Sequence, residues 1–280
     1  MTDLVAWTGP VAQFQVPGAT VPGAKELFIT CEGMRGPNPY CPDIGEALRS
    51  SPTALAARAG VAELDELYLG AFSAGGSILK RLLATQAYRD ATTAVMLSDA
   101  TYTTGWVGDP ADRNPPPIDG YVQYAVDVAS GPGDKLFVAT ASPMPNKNWS
   151  TGVETLAAIR REVEARTGRT FDLLDDFFGI EPQPERAYKL GNVIFAEYPA
   201  EPLGHGHTKI APQVWQQILQ PWLAKGKGAI EASGGLIDPT PQPTPTNGDD
   251  GVNIGAVLLG LLGVGAGYLA ISKLMRRRDR

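Results

Sequence analysis

The sequence predicts an α/β protein, a three-layer αβα sandwich around a mostly parallel sheet, followed by a separate membrane-directed tail. Three observations carry that expectation. Short apolar runs alternate with helix-like segments from about residue 25 to residue 224, the pattern of parallel strands joined by crossover helices. The composition, 43% hydrophobic and 19% charged with 32 Gly and 24 Pro, excludes a disordered chain, a collagen and a coiled coil. The last thirty residues differ in kind from the rest, carrying a net charge of +4 against -10 for the first 250. An acidic body of that sort lacks the basic footprint of a phosphate-binding surface, so no nucleic-acid partner is expected.

The elements follow in order. Lys25–Cys31 is a short apolar strand that stops at Glu32-Gly33-Met34. Residues 43–60 have helical composition and an Asp start, with Pro52 interrupting them. Leu67–Phe72 is the second strand, and Gly75–Tyr88 a helix with Ile78, Leu79, Leu82 and Leu83 on one side. Thr93–Leu97 is the third strand, ending at Ser98-Asp99-Ala100. A Pro-rich loop then leads into a helix over Ile118–Ala129. Lys135–Thr140 is the fourth strand, Val153–Thr167 a helix rich in Arg and Glu, Asn192–Tyr198 the fifth strand and Ile210–Ala224 the closing helix. The stretch Phe171–Phe178 reads as a short amphipathic cap, packed on the surface or serving as a lid.

Three segments follow from this reading, a body over 1–230, a linker over 231–250 and an anchor over 251–280. Asp238–Asp250 alternates Pro and Thr, the composition of an extended polyproline II spacer. Gly251–Ser272 holds 22 uncharged residues and is followed at once by Lys273 and the Arg-rich end. As a helix rising about 1.5 Å per residue, such a run spans a hydrocarbon core of roughly 30 Å. Its paired glycines, Gly251 with Gly255 and Gly263 with Gly267, have the spacing that lets anchor helices self-associate. The positive-inside rule puts the basic end in the cytoplasm, whereas the first ten residues show no basic-then-apolar leader, so both orientations of the body stay open. Two cysteines, Cys31 and Cys41, with two histidines make neither a disulfide framework nor a four-ligand metal centre, and no cofactor is expected.

The chemistry is concentrated in one motif. Phe72-Ser73-Ala74-Gly75-Gly76 lies where a strand turns directly into a helix, with small residues at Ala71 and Gly75 on either side of Ser73. A sharp strand-to-helix turn needs small neighbours, lifts the serine hydroxyl to the rim of the sheet, and offers backbone N–H groups, Ala74 first, to a developing oxyanion. A serine hydroxyl needs an imidazole to take its proton, and both histidines of the chain, His205 and His207, fall in one loop between the last strand and the last helix. The order serine, acid, histidine is that of one family of triads.

Residues 25 to 224 resemble the α/β-hydrolase superfamily, with LYLGAFSAGG as the nucleophile segment and GHGHTKIAPQVW as the histidine loop. The resemblance implies a membrane-anchored serine hydrolase that cleaves an ester, or an amide, through an acyl-enzyme. Its substrate would be a small-molecule, lipid or carbohydrate ester. It places the nucleophile at Ser73 and the base at His207 or His205, with His207 preferred beside the closing helix. The second oxyanion donor falls on Met34 or Gly33, although Glu32-Gly33 stands where the family often has His-Gly. The strand that usually precedes the acid carries no carboxylate here, and the acid is expected at Asp99, with Asp119 and Asp175 in reserve. Trp106 and Trp149 fall on loops expected at the same end of the sheet, either shaping a pocket or simply packing over a loop. The short spacing before the nucleophile strand implies a core smaller than the family's eight strands.

Overall fold

The computed structural model describes residues 4–9, 26–31, 51–58, 61–103, 118–143, 150–199 and 214–230. The strands are β1 (Leu4–Gly9), β2 (Glu26–Cys31), β3 (Glu66–Phe72), β4 (Thr92–Ser98), β5 (Leu136–Ala141), β6 (Asp172–Leu174), β7 (Arg186–Leu190) and β8 (Val193–Glu197). The helices are α1 (Pro52–Arg58), α2 (Gly76–Leu83), α3 (Gln86–Ala91), α4 (Asp119–Ser130), α5 (Gly152–Thr167) and α6 (Gln220–Ala224), the last entered through a π-helical turn at Trp215–Leu219.

All eight strands form one sheet in the order β1-β2-β3-β4-β5-β8-β7-β6. The first five and β8 run parallel, while β7 pairs antiparallel with β8 and β6 antiparallel with β7. The chain is an α/β protein with a mostly parallel mixed sheet. From β1 to β8 the parallel strands advance in a single direction, and the described crossover helices α1, α2, α4 and α5 share one core, as right-handed crossovers in such an order require. Side-chain alternation records the result. Leu69, Val95, Phe137 and Val193 lie side by side across four strands and pack with α1, α2, α4 and α5 in one core. Tyr68, Ala94, Val138 and Ile194 point to the other face, where Phe177, Phe178, Ile180, Ile218 and Trp222 cover them. Burial on both faces explains why β5 and β8 are apolar almost throughout. Phe137 sits at the centre, with Tyr121, Tyr124 and Phe195 around its ring at centroid distances of 5.6–6.2 Å.

Local chemistry fixes several element ends. Thr151 and Glu154 form a reciprocal capping box at the start of α5, and Gly168 ends that helix at φ 66°. Pro52 opens α1, since a first-turn residue needs no N–H donor, and residues 43–50 of the helical segment expected there lie outside the described ones. Pro221 has no N–H for the carbonyl one turn back, and the wider π turn immediately precedes it.

The structure corrects three expectations. The sheet has eight strands, not fewer, because β1, β6 and β7 join the five strands legible in the sequence. The helix expected over Gly75–Tyr88 is two, since α2 stops at Leu83 and α3 starts at Gln86. The expected closing helix over Ile210–Ala224 is helical from Val214 onward, and its first four residues lie outside the described ones. Phe171–Phe178 is neither cap nor lid: it holds β6 at the sheet edge and a turn whose Phe177 and Phe178 are core residues. No helix among the described residues is long and apolar enough to cross a membrane, and the linker and the run 251–272 lie outside them.

Candidate active site

The C-terminal ends of β3 and β4 bring Ser73 and Asp99 together. Phe72 pairs with Ser98 in the ladder, and each strand then turns at its next residue. Ser73 turns at φ 52° and Asp99 at φ 43°. Side chains other than glycine rarely occupy this left-handed region, and doing so costs about 1–3 kcal/mol that the surroundings must offset. Two such residues on adjacent strand ends mark a site held against its local preference. Ser73 opens a 3-10 turn, Ser73–Gly75, which includes Ala74 and continues directly into α2.

The turn is clamped from behind. A Cβ at Gly76 would lie 1.6 Å from the carbonyl oxygen of Ala100, so only glycine lets α2 start against the turn that carries Asp99. The Tyr121 hydroxyl, fully buried, donates to the Gly76 carbonyl and ties α4 to the same point.

Asp99 is completely buried and continues the ladder by donating its N–H to the Thr140 carbonyl at 2.8 Å. Its carboxylate is well supplied. Oδ1 accepts from the Ser142 N–H at 2.9 Å, and Oδ2 accepts from the Ser142 hydroxyl at 3.0 Å and from the Tyr102 hydroxyl. Burial, then the charge of Asp99, pushes the Tyr102 phenol far above its usual range, so it remains a proton donor. Gly152, the first residue of α5, approaches so closely that a Cβ there would lie 3.0 Å from Oδ1. The first turn of the sixteen-residue α5 thus abuts the carboxylate. Thr101 donates to the Gly152 carbonyl at 3.1 Å, and Thr103, Ser150 and Thr155 form a chain of buried hydroxyl contacts. These bonds hold the segment after β4 against the start of α5.

Of the residues expected from the sequence, Ser73, Ala74 and Asp99 come together at this edge. His205, His207, Gly33, Met34, Trp106 and Trp149 lie outside the described residues. Asp119 is exposed in the first turn of α4 beside Arg166. Asp175 is exposed just beyond β6, five strands from β3 and so about 24 Å away across the sheet. That distance removes Asp175 as a partner of Ser73. Sequence reasoning missed Tyr102, Ser142 and Gly152. Ser142 carried a signal, since a serine directly after β5 faces the end of the neighbouring β4.

Among the described residues a second buried carboxylate sits at this edge. Glu197 ends β8, is buried, and has its pKa raised by desolvation against the opposing pull of Arg160 and Arg186. Arg160 stacks over the Tyr188 ring at 3.8 Å, so the cluster reads as a structural brace between α5 and the sheet.

No protein-family model matches the chain. Comparison with curated proteins likewise finds no match. Among solved structures the chain is similar to the product of the gene lin2722 of Listeria innocua, at 16% identity and a TM-score of 0.34. The alignment covers 56% of this chain and 66% of that one, so the chain spans just under two thirds of that protein's length.

Proposed function

We propose that the chain is a serine hydrolase of the α/β-hydrolase type, anchored to a membrane through residues 251–272, that cleaves an ester by an acyl-enzyme route. The observation that carries the reading is Ser73 at φ 52° on a strand-to-helix turn, beside the buried carboxylate of Asp99 at the next strand end. Strain of this kind is maintained where chemistry needs it.

In this reading His207, with His205 as the alternative, takes the proton from Ser73 as its Oγ attacks the substrate carbonyl carbon. Asp99 holds the imidazole in one tautomer and stabilises the imidazolium. The tetrahedral oxyanion is met by the N–H of Ala74 and by that of Met34 or Gly33. Collapse expels the alcohol, which receives the proton from the imidazolium, and leaves an acyl group on Ser73. Water, deprotonated by the same imidazole, then releases the acid and restores the serine. An amide would follow the same steps with an amine leaving. The test is labelling of the detergent-solubilised protein by a fluorophosphonate, with Ser73→Ala, His205→Ala and His207→Ala compared. Labelling that disappears in the Ser73 variant and in one histidine variant is the expected result. Labelling that persists without Ser73 removes the assignment.

A second reading, a hydrolase-like binding or structural module without turnover, is favoured by one observation. Among the described residues the Ser142 N–H, the Ser142 hydroxyl and the Tyr102 hydroxyl already converge on the Asp99 carboxylate, the dense support that a purely structural anion would have. A folded wild-type protein that takes no label supports this second reading.

A further inference from the structure

An aspartate does not by itself fix the direction in which its carboxylate points. The last torsion of the side chain is broad and roughly two-fold, so the plane of the group turns easily unless both oxygens are held. Ser142 holds both: its N–H donates to Oδ1 of Asp99 at 2.9 Å and its hydroxyl to Oδ2 at 3.0 Å. Tyr102 donates to Oδ2 from three residues further along the same turn, so that bond travels with the group it holds. Ser142 comes from another strand end, and its own place is fixed. It directly follows β5, whose last residues are pinned from both sides. The Asp99 N–H donates to the Thr140 carbonyl and the Tyr198 N–H to the Ala141 carbonyl, each at 2.8 Å. From the helical side the start of α5 closes in, since a Cβ at Gly152 would lie 2.9 Å from the Ala141 Cβ. Ser142 is buried along with Asp99. The carboxylate plane is thus referred to the frame of the sheet through one residue.

We propose that Ser142 is a positioning residue for the reaction at Ser73, acting through Asp99: it sets the plane of the carboxylate and so the direction in which the base is held. The inference rests on the hydrolase reading above, in which Asp99 orients that base. Its consequence is a loss in rate rather than in binding. In Ser142→Ala the N–H bond to Oδ1 remains, and the carboxylate can pivot about it. Oδ2 is then held by Tyr102, which belongs to the turn that pivots. A base aimed off line removes the Ser73 proton more slowly, whereas reversible binding of the ligand does not draw on the carboxylate. Misplacing a reacting group by 1 Å costs up to about a hundredfold in rate, so a carboxylate held at one oxygen from the sheet should cost about tenfold.

The experiment uses the full chain in detergent and a small water-soluble fluorophosphonate. Labelling is followed over a range of probe concentrations, so that the limiting rate and the half-saturating concentration are read separately. Wild type, Ser142→Ala, Asp99→Asn and the double variant are compared. Ser142→Ala should lower the limiting rate about tenfold and leave the half-saturating concentration within about twofold of wild type. In the Asp99→Asn background the same replacement should change the rate by less than about twofold, because residues that act as one unit do not add. Ser142→Cys, which keeps the volume and a weak donor, supplies the same comparison if the alanine variant loses its cooperative thermal transition. Equal losses in the two backgrounds overturn the inference, since Ser142 would then act without Asp99. So does a limiting rate that stays at the wild-type value, and so does a half-saturating concentration that alone rises, which would make Ser142 a contact of the ligand. Absence of Ser73-dependent labelling in wild type removes the hydrolase reading, and labelling of Asp99→Asn at the wild-type rate removes Asp99 from it. Either of these takes the inference with it.

Discussion

Replacing Gly76 with alanine tests the juxtaposition on which the site depends. The added Cβ would lie 1.6 Å from the Ala100 carbonyl oxygen, 2.7 Å from its carbon and 2.9 Å from the Tyr121 hydroxyl. Ordinary contact needs roughly 3.4 Å, so α2 must retreat from the Asp99 turn by well over 1 Å. The obstacle is backbone, and no shortening of a neighbouring side chain relieves it. Overpacking of this kind costs about 1–3 kcal/mol, and loss of the bond from Tyr121 to the Gly76 carbonyl adds about 1 kcal/mol. A total of about 3 kcal/mol is a large share of the 5–15 kcal/mol that holds a typical domain together. For a domain of this size it corresponds to a fall in Tm of roughly 10 °C. Calorimetry or thermal circular dichroism of the solubilised protein reads the shift. Fluorophosphonate labelling below the transition should also slow, because Ser73 moves with the start of α2. A Tm within 2 °C of wild type would show that α2 does not press on the Ala100 carbonyl, and the argument for a clamped serine turn would fail.

Three other changes probe separate parts of the structure. Tyr102→Phe removes a donor from the buried carboxylate and should lower stability by about 2 kcal/mol. A less hydrogen-bonded Asp99 holds an imidazolium more strongly, so the acid limb of labelling should move to higher pH; an unchanged limb would separate Tyr102 from the base. The Tyr198 hydroxyl is buried and meets no partner among the described residues, so Tyr198→Phe should raise the urea unfolding free energy by about 1 kcal/mol. A loss of that size instead would show that the hydroxyl is satisfied. Burial, with the charge of Arg81 second, lowers the Lys80 ammonium to about 8 from 10.5. Between those values the unfolded chain keeps the proton and the folded chain does not, so this group makes stability rise with pH. Urea titrations at pH 7.5, 8.5 and 9.5 should show that rise reduced in Lys80→Met, and identical slopes in the two proteins would refute it.

The sequence made the central strands legible because both of their faces are buried. The runs at Leu67–Phe72 and Lys135–Thr140 are apolar enough to admit no other reading. Edge strands carry less signal. β7 reads Arg-Ala-Tyr-Lys-Leu, with Arg186 exposed and Tyr188 half-buried, and β6 is three residues long. Phe171–Phe178 misled because two aromatics four residues from a Leu pair imitate helical spacing, whereas the chain turns after Leu174. At the site, Ser73 was legible as a small-residue turn between strand and helix. Its pairing with Asp99 rested on resemblance, and the ladder register supplies the geometry. Tyr102, Ser142 and Gly152 reach the carboxylate from two different strand ends and a helix start. Contacts of that separation leave no pattern in a single sequence.

The winding of the sheet also says where specificity must be encoded. A doubly wound sheet reverses direction and opens a crevice between the two halves. Among the parallel strands here there is no reversal, so the framework offers no such crevice beside Ser73. On the hydrolase reading, specificity falls to residues that follow the strands in sequence, 32–50 after β2, 104–117 after β4, 144–149 after β5 and 200–213 after β8. These segments carry Gly33, Met34, Trp106, Trp149, His205 and His207. The division of labour follows from the topology. β3, β4, α2 and α5 fix Ser73 and Asp99 to one another, and on the proposed hydrolase reading exchanging one of the four segments should change substrate preference while leaving the thermal stability of the sheet in place.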